Sequence, residues 1–270
     1  MNNRIVAIVD AYSTGAELAP LFAKYGYQSV HVQSSRVIPA DFIGSFRPGD
    51  FKDHIAASTD DWNLVLKELA PHRPAIVIPG TETGVILADF LSNKLNLPGN
   101  DPSTSTLRRD KFEMQEALRR AGLSSITQHR AATADEALEW SRKFGRWPLV
   151  VKPLDSAGAD GVSFCCNEDE VHAAVGRIVG RTNRIGIDNH GVLLQERLVG
   201  RQYFVNAVSI DGLHKITEIW ADDKSLVDGA ALICDKEELL SYNGAVQSVI
   251  KPYVEGVLTA LGVRNGPSHS

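Results

Sequence analysis

The segment Leu149-Val150-Val151-Lys152-Pro153-Leu154-Asp155-Ser156-Ala157-Gly158-Ala159-Asp160-Gly161-Val162 decides the interpretation of this chain. Its apolar start predicts a buried strand that ends in a cation at Lys152. The small residues that follow predict a loop whose backbone approaches a ligand closely and whose N–H groups can cradle an anion. A lysine beside such a loop suits phosphate. The alternative for this segment alone is a glycine-containing hairpin with a surface lysine.

A second lysine lies on the apolar side of a predicted helix. The spacing of Leu107, Met114 and Leu118 predicts a helix from Thr104 to Ala121 with one apolar stripe. Lys111 falls on that stripe. A lysine on an inward face requires an anion or a path to water. Lys111 is therefore a candidate anion ligand, or else a lysine at the edge of the stripe that reaches solvent.

A polar hinge lies further along, at Gln195-Glu196-Arg197-Leu198-Val199-Gly200-Arg201-Gln202-Tyr203. One strand ends there in polar side chains, and the next strand begins after Gly200. The backbone of such a hinge can offer an N–H and a C=O group to the edge of a purine. The side chains of Gln195 and Gln202 can then bind the purine amino group and the ribose hydroxyls. The alternative is a solvated hairpin.

Composition excludes several classes of protein. The chain has 270 residues, 43% hydrophobic and 23% charged, which is typical of a globular protein. Its formal net charge of −5 does not indicate a nucleic-acid binder. The longest apolar runs, such as Ile5 to Val9, are far shorter than the roughly 20 residues of a membrane helix. We therefore expect neither nucleic acid nor a membrane as a partner.

Missing motifs narrow the chemistry further. No glycines stand two apart and no glycine precedes a lysine, which excludes the dinucleotide fingerprint and the Walker A loop. The histidines are too widely spaced for a zinc helix of the HExxH type, and there is no CxxC or GxSxG motif. Of the 3 cysteines, Cys165 and Cys166 are neighbours, so no disulfide framework is implied. We expect a cytoplasmic protein.

The pattern of elements divides the chain in two. The first part alternates strand and helix: Arg4 to Asp10, Glu17 to Tyr25 and Tyr27 to Gln33 form a βαβ unit. We expect an α/β domain over residues 1–102. After the predicted linker helix, the second part over 103–270 contains mostly antiparallel strands and is of the α+β class. Asp211-Gly212 predicts a tight hairpin there.

Taken together, the motifs resemble the ATP-grasp superfamily. They are Arg108-Arg109-Asp110-Lys111, Val151-Lys152-Pro153 with the loop from Ser156 to Val162, and the hinge from Gln195 to Tyr203. Further segments resemble the carboxylate–amine ligase branch that includes the L-amino acid ligases, or dipeptide synthases. They are Pro79-Gly80-Thr81-Glu82, Leu97-Pro98-Gly99-Asn100, the stretch from Trp220 to Lys224, and Leu261-Gly262-Val263-Arg264-Asn265-Gly266-Pro267-Ser268-His269.

The resemblance implies a fold and a division of it. A Rossmann-like pre-ATP-grasp domain over 1–102 precedes an ATP-grasp domain over 103–270, which is expected to be incomplete at its C-terminal end. The second domain is expected to comprise a linker helix at 104–121, a nucleotide-binding subdomain at about 124–197 and the start of a last subdomain at about 198–270.

The resemblance also implies an ATP site. Lys111 and Lys152 are expected to contact the phosphates and the adenine side, and Leu198 to offer main-chain contacts. Gln202 is expected at the ribose, where the family usually has Glu. Two further groups of ATP-binding residues are expected. The loop over the phosphates comprises Ser156, Ala157, Gly158, Gly161 and Val162. The adenine contact comprises Gln195 and Glu196.

The implied reaction joins a small carboxylate and an amine, expected to be amino acids, through an acyl phosphate. ATP and Mg²⁺ are the implied cofactors. No acidic residue follows Glu255, so the Mg²⁺ ligands and a catalytic arginine are expected beyond Ser270, with no metal ligand in this chain. The 270-residue chain is then expected to turn over ATP poorly. An incomplete sheet also leaves an open edge, which favours pairing with a second copy as a homodimer.

Two further residues are candidates for substrate binding. Glu82 follows a strand end, where ligand contacts are common, but it can equally accept hydrogen bonds from its own loop. His269 has the alternative of no special role. Two other functions stay open: a non-catalytic nucleotide-binding or structural relative, and, on the βαβ unit alone, a Rossmann-type oxidoreductase. The missing glycine fingerprint argues against the latter.

Overall fold

The computed structural model describes residues 4–56, 61–156, 159–226 and 232–270. The chain forms two compact units. The first comprises Met1–Arg109 and Arg264–Gly266, and the second comprises Asp110–Val263 and Pro267–Ser270. The predicted boundary after residue 102 stays a prediction, because compact packing does not show where an independently folding domain ends.

The first unit contains a four-stranded parallel sheet. Its strands are β1 (Ile5–Val9), β2 (Gln28–Gln33), β3 (Asp53–Ala56) and β4 (Ile76–Pro79), in the order β3-β2-β1-β4. Every residue of β1 is buried, as expected for a central strand of a parallel sheet covered on both faces. The predicted βαβ unit is confirmed.

The described part of the first unit contains five α-helices. They are α1 (Leu18–Lys24), α2 (Ala40–Ile43), α3 (Trp62–Leu69), α4 (Val85–Lys94) and α5 (Ser105–Arg109). Val65 and Leu69 of α3 and Leu87 and Leu91 of α4 pack into one core cluster with Val30 of β2. These helices therefore bury one face of the parallel sheet.

The second unit begins with a sheet of four strands. They are β5 (Gln128–Ala131), β6 (Leu149–Pro153), β7 (Ser163–Cys165) and β8 (Val192–Glu196), in the order β5-β8-β6-β7, with antiparallel neighbours throughout. Two helices, α7 (Ala134–Phe144) and α8 (Glu168–Ile178), pack on one face against Leu149 and Val151. The helix α6 (Lys111–Arg120) precedes this sheet.

A second antiparallel sheet completes this unit. It comprises β9 (Gln202–Ile210), β10 (Leu213–Leu226), β11 (Leu232–Leu239) and β12 (Gly266–His269), in the order β11-β10-β9-β12. The predicted hairpin is confirmed: Asp211 and Gly212 join β9 and β10, and both have positive φ, at 52° and 83°. The helix α9 (Ala245–Ala260) follows β11 and contacts β10.

The predicted continuous helix from Thr104 to Ala121 is wrong, since the chain breaks it at Asp110. This residue is extended, with φ −85° and ψ 117°, and its side chain accepts hydrogen bonds from the N–H groups of Phe112 and Glu113. An aspartate in this role starts a new helix by satisfying backbone donors that lack intrahelical partners. Lys111 is therefore the first residue of α6 rather than part of a long stripe.

Candidate functional site

Two of the predicted ATP-binding side chains share one face of the first sheet in the second unit. Lys152 lies opposite Leu193 across the β6–β8 ladder, and Gln195 lies opposite Val150. Because side chains alternate along a strand and cross-strand partners point the same way, Lys152 and Gln195 project from the same face. That face is the one opposite α7 and α8, which pack against Leu149.

A pocket of about 220 Å³ opens beside Lys152. The Lys111 Nζ atom donates a 2.7 Å hydrogen bond to the carbonyl oxygen of Ser156 within this region. Predicted phosphate-site residues from α6, β6 and the following loop therefore meet at one place. The residues that line the pocket are Lys111, Lys152, Pro153, Ser156, Ala159, Asp160 and Val162.

Electrostatics make this pocket favourable for an anion. Burial, followed by the nearby charge of Lys111, lowers the pKa of Lys152 from its ordinary value to about 8. Two amines that disfavour each other's charged form are stabilised by a negatively charged ligand placed beside both. The pocket is thus suited to a polyanion such as a chain of phosphates.

Polar contacts hold the loop that follows β6. The Asp160 carboxylate accepts hydrogen bonds from the Ser156 hydroxyl at 2.8 Å and from the Arg184 N–H at 3.1 Å. The Asn183 amide donates to the Asp155 carbonyl oxygen at 2.6 Å. Gly161 has a φ of +66°, where a side chain would be strained. These hydrogen bonds therefore hold Asp155, Ser156 and Asp160 in place. The predicted Ala157 and Gly158 lie outside the described residues.

The predicted adenine and ribose residues follow in sequence. Gln195 is buried, and its amide donates to Gln128 Oε1 at 3.2 Å. Glu196 accepts a 2.7 Å hydrogen bond from the N–H of Thr127. Leu198, beyond the end of β8, is 67% exposed. Gln202 begins β9 and is exposed.

Glu82 has an ionic partner within the first unit. It opens a short 3₁₀ turn after β4, and its carboxylate accepts a hydrogen bond from the guanidinium of Arg109. Arg109 is buried, whereas the Glu82 side chain is 62% exposed. The carboxylate therefore neutralises a buried cation, and its predicted contact with a substrate amine stays a prediction.

His269 belongs to a network of polar side chains that sequence analysis missed. Its Nδ1 atom lies 2.9 Å from the Asn206 amide oxygen, and the Asn206 amide nitrogen donates to Glu218 at 2.8 Å. These residues come from three neighbouring strands, β12, β9 and β10. Sequence spacing gives no signal for this network, because it depends on how the strands pair.

One cluster in the described part of the chain has three side chains of metal-ligating type: Asp222, Cys234 and Glu237. Asp222 also forms a 2.8 Å ion pair with Lys224. The lysine already supplies the positive charge that a bound cation would provide. A thiol is moreover a poor ligand for Mg²⁺, which prefers oxygen. The cluster therefore does not fit the Mg²⁺ that the resemblance implies.

In the first unit, two loops meet at the crevice where a Rossmann-type protein would bind a dinucleotide. That crevice lies at the carboxyl ends of the parallel strands, where neighbouring connections diverge. Here a Cβ placed on Gly15 would lie 2.1 Å from the carbonyl oxygen of Gly80. The loops after β1 and β4 are therefore in direct contact. This packing argues against the oxidoreductase alternative.

Known proteins resemble this chain along its full length. It is 33% identical over 278 residues to dapdiamide A synthase from Enterobacter agglomerans, an alignment that covers 100% of the chain and 63% of that protein. No protein-family model matches the chain.

Solved structures share the same fold. An L-amino acid ligase from Bacillus licheniformis superposes with a TM-score of 0.75 at 18% identity, covering 100% of this chain and 63% of that one. The biotin carboxylase domain dimer of 2-oxoglutarate carboxylase from Hydrogenobacter thermophilus, in complex with MgADP, ADP and bicarbonate, gives 0.70 at 13% identity. That match covers 98% of this chain and 59% of the other.

The chain has the ATP-grasp fold of these solved structures. The chain is also similar in sequence to dapdiamide A synthase, so the resemblance to ATP-grasp carboxylate–amine ligases predicted from its motifs is confirmed. The chain spans 63% of the length of that relative. None of the helices in the described ranges combines the length and apolarity that a membrane span requires.

Proposed function

We propose that this chain carries the nucleotide site of an ATP-dependent ligase that joins a carboxylate to an amine. The observation that carries the proposal is the pocket formed by Lys111, Lys152 and the loop after β6. The contact between Lys111 and Ser156 ties the first turn of α6 to that loop. Homology to dapdiamide A synthase supports the ligase activity.

The proposed chemistry matches the residues of the pocket. A carboxylate is a poor electrophile, and transfer of the γ-phosphoryl group converts it to an acyl phosphate with a good leaving group. An amine then attacks the carbonyl carbon, and phosphate departs. Catalysis of phosphoryl transfer is chiefly positioning and neutralisation of charge, which Lys111, Lys152 and backbone N–H groups of the loop would supply.

The nucleotide side of the proposal assigns adenine to Gln195 and Glu196, the main-chain contact to Leu198 and ribose to Gln202. Their order along β8 and the start of β9 supports this assignment. Mg²⁺ would bind together with ATP, as it binds with ADP in the biotin carboxylase domain.

The partners follow from the same proposal. The substrates would be a small carboxylate and an amine, both from amino acids, with Glu82 and His269 as candidate contacts. The biotin carboxylase domain is a dimer, which supports a homodimer here. Cys165, Cys166 and Cys234 are free thiols, as is usual in the reducing cytoplasm where we place the protein.

Isothermal titration calorimetry with ATP tests the site. Lys152→Ala should weaken binding by about 1.5–3 kcal/mol, the range for a hydrogen bond to a charged group. Lys143→Ala is the matched control, because Lys143 is exposed and pairs with Glu139 on α7. Equal ATP affinity in both variants and the parent would contradict the assignment of Lys152.

A second assay tests the activity. Release of ADP is measured over a panel of the standard amino acids, with Mg²⁺ and with EDTA. Amino-acid-dependent and Mg²⁺-dependent release supports the ligase. ATP binding without release under any of these conditions, in this chain and in any longer product of its gene, supports the non-catalytic alternative instead.

A further inference from the structure

The face of the second sheet opposite α9 carries a row of polar and aromatic side chains. Asn206 lies opposite Glu218 across the β9–β10 ladder, and Phe204 lies opposite Trp220. Val205 and Ile219, which alternate with them, point to the other face and are buried. The row therefore projects from the face that α9 does not cover.

A β-bulge brings Glu218 into this row. The register shifts between Ile216 and Glu218, so that Ile216 pairs with Ala207 and Glu218 pairs with Asn206. Thr217 is the extra residue. Bulges of this kind re-aim side chains and are common beside active sites.

The row forms one hydrogen-bonded chain that ends at His269. Glu218 Oε2 accepts hydrogen bonds from Trp220 Nε1 at 3.1 Å and from Asn206 Nδ2 at 2.8 Å. The Asn206 Oδ1 atom lies 2.9 Å from His269 Nδ1. Phe204 packs against the imidazole, with ring centroids 5.0 Å apart.

The direction of each hydrogen bond follows from the chemistry of its groups. The hydrogen bonds from Asn206 and then from Trp220 hold the pKa of Glu218 below its ordinary value, so this carboxylate is an ionised acceptor near neutral pH. Because Glu218 only accepts hydrogen bonds, the Asn206 amide must turn its nitrogen toward Glu218 and its oxygen toward His269. An amide oxygen only accepts, so His269 Nδ1 must carry the proton.

We propose that Glu218 and Asn206 are positioning residues that hold His269 in the Nδ1–H form, leaving the Nε2 lone pair to accept a proton from the amine substrate. The proposal rests on the ligase function above. It names the residues that help to deprotonate the amine that attacks the acyl phosphate. The relay has the same logic as a carboxylate that fixes the tautomer of a catalytic histidine.

The proposed step is balanced. A substrate ammonium group transfers one proton to His269 Nε2, which gives an imidazolium and a neutral amine. The amine nitrogen attacks the carbonyl carbon of the acyl phosphate, a C–N bond forms, and the C–O bond to phosphate breaks. The second nitrogen proton passes to the departing phosphate or to water, and the imidazolium releases its proton to solvent.

The position of the relay is consistent with this role. Gln202, Phe204 and Asn206 alternate along β9 and therefore share a face. Gln202 is the proposed ribose contact, so the relay lies further along the same face as the nucleotide. His269 is exposed on that face, where a small molecule can reach its ring.

Nuclear magnetic resonance of ¹⁵N-histidine-labelled full chain tests the tautomer without any need for activity. The parent protein should show His269 protonated at Nδ1 and unprotonated at Nε2 above the pH at which the ring is charged. Glu218→Ala and Asn206→Leu should give a mixture of both tautomers. Glu218→Gln should keep the Nδ1–H form, because its amide oxygen still accepts from Asn206.

Glu238→Ala is the matched control. Glu238 is a partly exposed glutamate of β11 in the same sheet, where it pairs with Lys236. This variant should leave the His269 tautomer unchanged. An Nε2–H form in the parent, or an unaltered tautomer in Glu218→Ala, would overturn the proposal.

Two nucleophiles then test the proton transfer. An amino acid is an ammonium ion at neutral pH and needs a base, whereas hydroxylamine is already uncharged. His269→Asn should lower ATP-dependent amide formation with the amino acid by about 10²–10⁴-fold. Hydroxamate formation with hydroxylamine should change far less, and Glu218→Gln should retain most of the amino acid activity.

The outcomes separate the two proposals. Equal losses with both nucleophiles overturn the proton-acceptor role while leaving the ligase function intact. Absence of ADP release with either nucleophile, both from this chain and from any longer product of its gene, overturns the ligase function and the proton-acceptor role together. The tautomer lock by Glu218 and Asn206 is decided by the resonance data in every case.

Discussion

The ammonium group of Lys111 donates a 2.7 Å hydrogen bond to the carbonyl oxygen of Ser156. The N–H group of Lys111 also donates to the carbonyl oxygen of Leu154, at 3.2 Å. Two bonds from one residue thus fix the start of α6 to the loop that follows β6. The lysine therefore shapes the loop as well as charging the pocket.

Removal of the Lys111 side-chain bond should loosen this loop. Lys111→Met keeps the aliphatic stem and deletes the ammonium group, so we expect faster amide hydrogen exchange over residues 152–162 and weaker ATP binding. Hydrogen–deuterium exchange read by mass spectrometry measures the first effect. Lys143→Met is the control, and exchange that is identical in all three proteins would contradict the tether.

Nucleotide binding should depend on pH through Lys152. Burial and the nearby Lys111 lower the pKa of Lys152 to about 8, and a bound phosphate favours the charged amine and raises that pKa again. ATP binding should therefore take up protons near pH 8 and weaken as the pH rises above that value. Calorimetry in buffers of different ionisation enthalpy measures the proton uptake.

The Lys152→Arg variant keeps the positive charge at this position but removes its titration near pH 8. A guanidinium stays protonated throughout this range, so the variant should bind ATP without the proton uptake that the parent shows. Proton uptake of equal size in the parent and in this variant would assign the linkage to another group.

The capping bond at Asp110 should contribute to stability. Asp110→Ala leaves the N–H groups of Phe112 and Glu113 without their side-chain acceptor, so the free energy of unfolding should fall by about 1 kcal/mol. Asp110→Asn is the matched control, since asparagine caps a helix about as well. Urea denaturation measures both. The exposed ion pair of Asp110 with Arg130 adds little.

His31 should make the protein sensitive to acid. Burial, and then the neighbouring His54, lowers the pKa of His31 from 6.5 to about 3. Between these values the unfolded chain binds a proton that the folded chain does not, so stability is complete above pH 6.5 and is lost as the pH falls toward 3. The expected loss is about 1.4 kcal/mol per pH unit.

Chemical denaturation at several pH values measures that slope. His31→Gln should remove it, whereas His172→Gln, at an exposed histidine of α8, should leave it unchanged. Comparing these variants separates the effect of His31 on stability from that of Asp10. Burial raises the pKa of Asp10, so its contribution to the pH dependence of stability has the opposite sign. A slope that survives in His31→Gln would contradict the assignment.

Sequence analysis predicted the elements whose burial is one-sided or complete. The uninterrupted apolar run of β1 predicted a strand, and a capping pair such as Asn167 with Glu170 marks the start of α8. The same capping signal at Thr133 and Glu136 was available for α7, which was missed. β3 was missed because only Ile55 of its residues is buried, so it carries no apolar alternation.

The site was predictable where single residues break a pattern. Lys152 ends an apolar strand, and the structure places it beside Lys111 in one pocket. Contacts that depend on strand register could not be predicted from the sequence. The bulge at Thr217 decides that Glu218 rather than its neighbour meets Asn206, and no local sequence feature specifies where a ladder shifts.

Register also explains why position 202 carries a neutral side chain. Gln202 lies directly opposite Asp222 across the β9–β10 ladder, and the Asp222 side chain is only 5% exposed. A glutamate at 202 would place two carboxylates opposite each other, which costs about 0.2–1 kcal/mol in a sheet. Gln202→Glu should therefore lower the free energy of unfolding by about that amount, as measured by urea denaturation.

The double variant tests the cause. Asp222→Asn removes the opposing charge, so Gln202→Glu combined with Asp222→Asn should be destabilised less than the sum of the two single variants, a coupling that a double-mutant cycle measures. ATP affinity gives a second readout, because a carboxylate accepts a stronger hydrogen bond from a ribose hydroxyl than an amide does. If Gln202 contacts ribose, the double variant should bind ATP more tightly than Asp222→Asn alone. Additive stabilities would show that the two side chains do not interact, and unchanged affinity would remove position 202 from the nucleotide site.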